Sequence, residues 1–217
     1  MRILALDTCL GACSVAVWQD GAVLAHAWAA MPRGHAEALV PMMERARRQA
    51  GLEYRDFDRL AVSIGPGSFA GVRVGLAAAR GICAARALPL VGVNTLELLA
   101  AAIPGDAPLA IAIDARNDQV YFQAFGDGVA LCPPQLLGLA AAASYIRETP
   151  AIMRLAGGGA RALAARIGKN INTGDFDLLP DAAILAGLAA RRDACAGDQV
   201  TPLYLRAPDA KLPGLPA

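Results

Sequence analysis

Residues 63–81 read SIGPGSFAGVRVGLAAARG, and this stretch decides the fold. Upstream of its first glycine, residues 60–64 form a short apolar run that a glycine-proline turn stops, so a buried strand is expected there. Ser68 is placed to cap a helix spanning about Phe69–Arg86, on which Val72, Leu76, Ala79 and Cys83 share one face. Strand, glycine turn and helix N-terminus in succession are a building unit of α/β folds. Such a turn lets backbone approach a ligand closely, and the helix start offers unpaired N–H groups. It is not a Walker A loop, because no Lys-Ser/Thr follows the glycines. Spacing alone leaves Gly65, Gly67 and Ser68 open between a phosphate turn and a tight packing turn. Gly71 and Gly75, one helical turn apart, allow close approach of a neighbouring element.

Outward from this unit the chain repeats a plan. Residues 3–6, 13–17 and 22–29 read as three successive strands, the last two joined through Asp20-Gly21, a hairpin dipeptide. A helix at about 34–50 carries Leu39, Met42, Met43, Ala46 and Ala50 at helical spacing. Pro41 lies inside it, so a kink or a later start is expected. Strand 89–93 and helix 95–102 follow the central unit. At Ile103-Pro104-Gly105-Asp106 the order starts again: strands 109–113, 120–125 and 129–131, helix 139–147, strand 152–156, three glycines, and a helix over 160–167. A last helix is capped by Asp181, ends near Gly197, and carries Ile184, Leu185, Leu188 and Ala189 as its stripe. The expected architecture is α/β and two-lobed, each lobe a mixed sheet flanked by helices, with lobes at 1–104 and 105–217.

Composition removes several classes. The 217 residues are 56% hydrophobic, but 49 are alanine and only 5% are aromatic. Apolar stretches are cut well short of the ~20 residues that span a bilayer. Residues 1–6 meet Asp7 too soon for the apolar core of a signal peptide, so a soluble cytoplasmic globule is expected. Twenty basic and nineteen acidic side chains give a net charge of +1, unlike a protein that grips nucleic acid unaided. The five cysteines have no Cys-x-x-Cys spacing and are expected as buried free thiols.

Chemistry has few places to sit. Asp7-Thr8 ends the first strand in a turn suited to a phosphate or a hydrated metal, or to satisfying its own backbone. Gly157-Gly158 repeats the strand–glycine–helix junction, where an adenosine would lie against backbone. The only histidines are His26 and His35. A helical metal pair beginning at His35 needs its second ligand one turn on, where Leu39 stands, so no metal site is expected. Ser14, Ser63, Ser68 and Ser144 have no evident activating partner.

Residues 63–81 resemble one family in particular, TsaB (also called YeaZ). ILALDT, SVAV, GHAEALVPMME, VGVNTLELLA, IDARNDQVYFQAF and PLYLR extend the likeness in order over most of the chain. The resemblance implies the fold of the actin, sugar-kinase and heat-shock-chaperone (ASKHA) superfamily. It also implies a non-catalytic subunit of the bacterial machinery that makes threonylcarbamoyladenosine in tRNA. Such a subunit dimerises with and activates the catalytic paralogue TsaD, which transfers threonylcarbamoyl to the adenosine beside the anticodon of tRNAs reading codons that begin with A.

By the same resemblance, pairing uses a bundle of the first two helices. His35, Leu39, Met42, Met43, Ala46, Arg73, Leu76, Ala77 and Arg80 are the expected interface, Arg73 and Arg80 giving hydrogen bonds at its rim. The methionine face has a second reading, as the lobe's own core. The family implies the ATPase component TsaE as a further partner, a homodimer when the chain is alone, and tRNA met only through the complex. It implies no tightly bound cofactor, with ATP or ADP admitted only at the complex interface. Asp7, Thr8, Gly65, Gly67, Ser68, Gly157 and Gly158 would be degenerate phosphate loops. Ala70 stands where the family usually has Thr, which removes a hydroxyl there. The rival readings are a small-molecule kinase of the same fold, a protease, and an independent RNA-binding module.

Overall fold

The computed structural model describes residues 1–168, 171–173 and 177–206. The apolar run at the start of the chain forms β1 (Arg2–Asp7). Its alternation sends Leu4 and Leu6 to one face of a sheet and Ile3 and Ala5 to the other. β2 (Ala12–Gln19) and β3 (Ala22–Ala30) complete an antiparallel meander. Asp20 and Gly21 turn between them at φ of 47° and 98°, as a tight hairpin requires. α1 (His35–Gln49) runs through Pro41, which lies on its exposed side, and leads to β4 (Arg59–Ser63), parallel to β1. α2 (Phe69–Arg86), capped by Ser68, leads to β5 (Leu90–Val93), parallel to β4. The strand order is β3-β2-β1-β4-β5.

After α3 (Thr95–Ala101) the same wiring returns. β6 (Leu109–Asp114), β7 (Gln119–Gly126) and β8 (Val129–Ala130) are antiparallel neighbours, and β9 (Gln135–Gly138) also pairs with β7. α4 (Leu139–Glu148) leads to β10 (Arg154–Ala156), parallel to β6, and α5 (Ala160–Ile167) to β11 (Asn172–Thr173), parallel to β10. The second sheet runs β8-β7-β6-β10-β11, the order of the first once β9, which pairs with β7 off this path, is set aside. Two lobes on one plan, each with a meander followed by parallel crossovers, are the expected two-lobed α/β architecture.

Helices do not respect the 104/105 boundary. α1 and α2 cover one face of the first sheet, and α6 (Ala182–Ala189) returns from the far end of the chain to cover the other. There Ala182, Leu185, Ala186 and Ala189 pack with Ile3, Ala5, Ala61 and Val91. α3 is shared: Leu98 joins that first-lobe core, while Leu96 and Leu99 pack with Leu109, Ile111 and Phe125 of the second lobe. The 105–217 unit is therefore split in space, residues 182–203 packing on the first lobe.

α6 also ends earlier than expected. The Arg59 guanidinium donates to the carbonyls of Ala189 and Arg192 at 3.3 and 2.7 Å, taking up the helix end. Cys195 then bridges the backbone of Leu90 from both sides, at 2.8 and 3.1 Å. All five cysteines are free; Cys9, Cys13 and Cys83 are buried, whereas Cys132 is half-buried and Cys195 exposed. No helix among the described residues is long and apolar enough to cross a membrane.

Candidate functional site

The first-lobe turn is sealed. Asp7 is fully buried, its Oδ1 accepting from the Ser63 hydroxyl and, at 3.4 Å, from the Cys9 N–H, while Oδ2 has no partner among the described residues. Burial pushes the Asp7 carboxyl up to about 6, against the pull of the Ser63 hydrogen bond. Burial, and then the Asp7 carboxylate, push the Cys9 thiol up to about 12. The Thr8 hydroxyl donates to the Gly71 carbonyl at 2.6 Å.

The glycines of the central unit face this turn. A Cβ at Gly67 would lie 2.3 Å from the Cys9 carbonyl oxygen, and one at Gly71 would lie 2.0 Å from that of Thr8. Gly157 repeats the arrangement in the second lobe, at φ +96° with its would-be Cβ 2.6 Å from the Ala112 carbonyl oxygen. Gly158 is exposed and opens onto free space. The close approach is of backbone to backbone. Asp7 is buried and the Thr8 hydroxyl is committed to Gly71, so neither is offered to a ligand at this turn.

The expected interface divides in two. Leu39, Met42, Met43, Ala46 and Leu76 are buried in the lobe's own core, the second reading of the methionine face, and so cannot face a partner. His35 is half-buried, its Nε2 donating to the Leu10 carbonyl at 2.9 Å. Arg80 is half-buried and committed within the chain, whereas Arg73 is exposed and gives only its Nε–H among the described residues. Arg80 donates to the carbonyls of Gly197, Asp198 and Val200, and Arg73 to the Tyr204 hydroxyl at 3.1 Å. Only Ala77 of the apolar residues named is exposed. The outward face of the pair is instead Val40 on α1, 55% exposed, and Ala70, Ala77, Gly81 and Ala84 on α2, with the half-buried Val74 at its edge.

A cleft of about 500 Å³ lies between the lobes, with Pro66 to Phe69, Asp114 to Arg116, Tyr121 and Leu203 to Arg206 on its walls. Sequence reading assigned none of Arg116, Tyr121, Tyr204 or Arg206 to a site. They fall in IDARNDQVYFQAF and PLYLR, segments far apart in the chain. Among the described residues no group of three His, Cys, Asp or Glu could hold a metal ion.

Residues 29–199 match the family model described as TsaD, tRNA N6-adenosine threonylcarbamoyltransferase. The solved structure of YeaZ from Pseudomonas aeruginosa superposes with a TM-score of 0.82 at 30% identity, covering 94% of this chain and 99% of that one. The chain belongs to the TsaB (YeaZ) family. The tRNA threonylcarbamoyladenosine biosynthesis protein TsaB of Escherichia coli K12 is 42% identical over 125 residues, 56% of this chain and 54% of that protein. Its counterpart of the same name in Haemophilus influenzae is 37% identical over 52% of its length, so the chain spans about half the length of these curated relatives. An uncharacterised Mycobacterium tuberculosis protein is 32% identical over 96% of this chain and 93% of its own. In this member of the TsaB family, Gly67 and Gly71 of the glycine stretch pack against the Cys9 and Thr8 backbone, while Gly67 to Phe69 also border the interlobe cleft.

Proposed function

We propose that this chain is a non-catalytic accessory subunit in the making of threonylcarbamoyladenosine in tRNA. It pairs with the catalytic paralogue TsaD and activates it. The observation that carries the reading is Leu39. It stands one helical turn after His35, where a metal pair would need its second ligand, and it is 1% exposed in the core. A family built around a transferase here lacks the side chain for a metal site on α1.

The outward face of α1 and α2 supports the pairing. Ala70, Val74, Ala77, Gly81 and Ala84 recur at alternating steps of four and three, the seam of two helices packed side by side, and their small size lets a partner helix come close. Without the paralogue this face pairs two copies of the chain. TsaE joins the assembly in the cytoplasm, tRNA is met within it, and any ATP or ADP sits at the subunit interface rather than on Asp7.

The rivals lose their residues. A kinase would need Asp7 open to solvent. A protease would need an activated serine, yet Ser14 accepts from Ala182, Ser63 serves Asp7, Ser68 caps α2 and Ser144 pairs with Glu148. The test is threonylcarbamoyl transfer to tRNA by the purified paralogue and its other partners, with and without this chain. Modification that needs the chain is expected; equal modification in both reactions would overturn the reading.

A further inference from the structure

The interlobe cleft has a composition that its closed phosphate turns do not explain. Phe69 and Tyr204 stack with ring centroids 5.1 Å apart and stay 41% and 40% exposed, and Tyr121 lines the opposite lobe. The Arg73 guanidinium lies 3.7 Å from the Phe69 ring centroid. Two arginines reach the same space. Arg206 comes from the C-terminal segment and is held by Gln119 of β7, and Arg116 is exposed at the end of β6. Among the described residues the Arg116 guanidinium takes no hydrogen bond or ion pair. Asp114 is the one acidic wall residue, and its Oδ1 accepts from the Arg116 N–H at 2.9 Å.

The backbone that presents Arg116 is unusual. Arg116, Asn117 and Asp118 lie in succession at φ of 64°, 52° and 55°. Left-handed conformation costs a non-glycine residue about 1–2 kcal/mol, and Arg, unlike Asn and Asp, has no local hydrogen bond to soften it. That cost is borne at the place where the cleft gains a free cation.

We propose that the cleft binds one unpaired nucleotide of RNA, its base against the aromatic walls and its phosphodiester between Arg116 and Arg206. Three ring-bearing side chains and two arginines are the means by which proteins hold splayed single-stranded nucleotides without glycine loops. A phosphodiester carries one negative charge and suits two separate arginines. The sealed turns at Asp7 and Gly157 leave a triphosphate no backbone cradle. The volume suits a single nucleotide. The inference deepens the accessory reading and rests on it only in choosing RNA over a free nucleotide.

The test uses the full chain alone, so its failure leaves transferase activation untouched. Binding of a short fluorescein-labelled single-stranded adenosine oligonucleotide is followed by anisotropy at stepped potassium chloride concentrations. AMP serves as competitor. The parent chain is expected to bind weakly, with affinity falling as salt rises. Arg116→Asn keeps the left-handed preference and removes the charge. It should fold as the parent does, weaken binding by about tenfold, and flatten the plot of log affinity against log salt by about 0.7. Arg206→Gln should act in the same direction. Three outcomes would each overturn the site as an RNA contact: no binding by the parent, binding unchanged in both variants, or AMP competing as well as the oligonucleotide.

Discussion

Thr8 and Gly71 are locked together: the Thr8 hydroxyl donates to the Gly71 carbonyl at 2.6 Å, while the Gly71 α-carbon sits against the Thr8 carbonyl. This contact seats the first turn of α2 on the β1–β2 turn. A methyl group at position 71 would meet that carbonyl oxygen at 2.0 Å, and neither backbone can yield without moving the helix. Gly71→Ala is expected to cost about 3 kcal/mol in urea unfolding, the upper range for overpacking. Gly81 lies in the same helix with nothing near its missing Cβ, so Gly81→Ala should stabilise by about 0.5–1 kcal/mol. Equal effects at both positions would mean that helix propensity, not the Thr8 contact, decides.

Burial of Asp7 makes stability depend on pH. Its carboxyl titrates near 6 in the folded chain and near 3.8 when unfolded, because burial disfavours the charge. Between these values the unfolded chain binds fewer protons, so stability falls as pH rises from about 4 to about 6 and is flat above. The amplitude is about 3 kcal/mol. Asp7→Asn keeps an acceptor for Ser63 and cannot ionise. Denaturant unfolding at stepped pH should show this fall in the parent and lose it in the variant. An unchanged pH profile in Asp7→Asn would assign the dependence elsewhere.

Burial separates the core face of α1 from its outward face. Met43 is 2% exposed in the first-lobe core, so Met43→Glu should destabilise the chain by about 4 kcal/mol, through an unpaired buried charge. Val40, three residues earlier, points outward. Val40→Glu should leave unfolding within about 0.5 kcal/mol of the parent. It should nevertheless weaken association with the paralogue by at least about tenfold in titration calorimetry. Normal association of a folded Val40→Glu chain would move the interface away from this face.

Much of this organisation was legible in local patterns. α2 runs from Phe69 to Arg86 as expected, because Ser68 caps it and its apolar face repeats with helical period. The restart after residue 104 foretold a second sheet, and the two share one strand order. What stayed hidden was long-range. The stripe of Leu39, Met42 and Met43 looks the same whether a partner or the chain's own β-sheet covers it. Glycine spacing at 67 and 71 signals close approach without saying to what, and the neighbour proved to be the Cys9 and Thr8 backbone. β9 and β11 are four and two residues long, too short to show a period. The return of α6 to the first lobe is made by contacts across most of the chain, its packing on Ile3, Ala5, Ala61 and Val91 and the approach of Asp181 to His26 at 2.8 Å, and no local signal reports them.

Arg80 tests whether the C-terminal segment is part of the first lobe in energy as well as in position. Its guanidinium donates to three successive acceptors, the carbonyls of Gly197, Asp198 and, at 2.6 Å, Val200. Three residues on, the Leu203 N–H donates to the Ile64 carbonyl at 2.8 Å, which carries the segment to the cleft wall at Tyr204. Without the guanidinium those carbonyls must be satisfied by water, and the segment is left hanging from the bonds of Cys195 and Leu203. Arg80→Ala is expected to cost about 2 kcal/mol, as for hydrogen bonds from a charged donor. Arg86→Ala, at an exposed position on the last turn of the same helix, should fall within about 0.5 kcal/mol of the parent. Hydrogen exchange separates a local release from a general loss of stability. If Arg80 is the clamp, the Leu203 amide should exchange faster in Arg80→Ala while the β1 and β4 amides keep their parent protection. Uniform acceleration across both sheets would instead make Arg80 a packing residue of α2, with no particular hold on the segment.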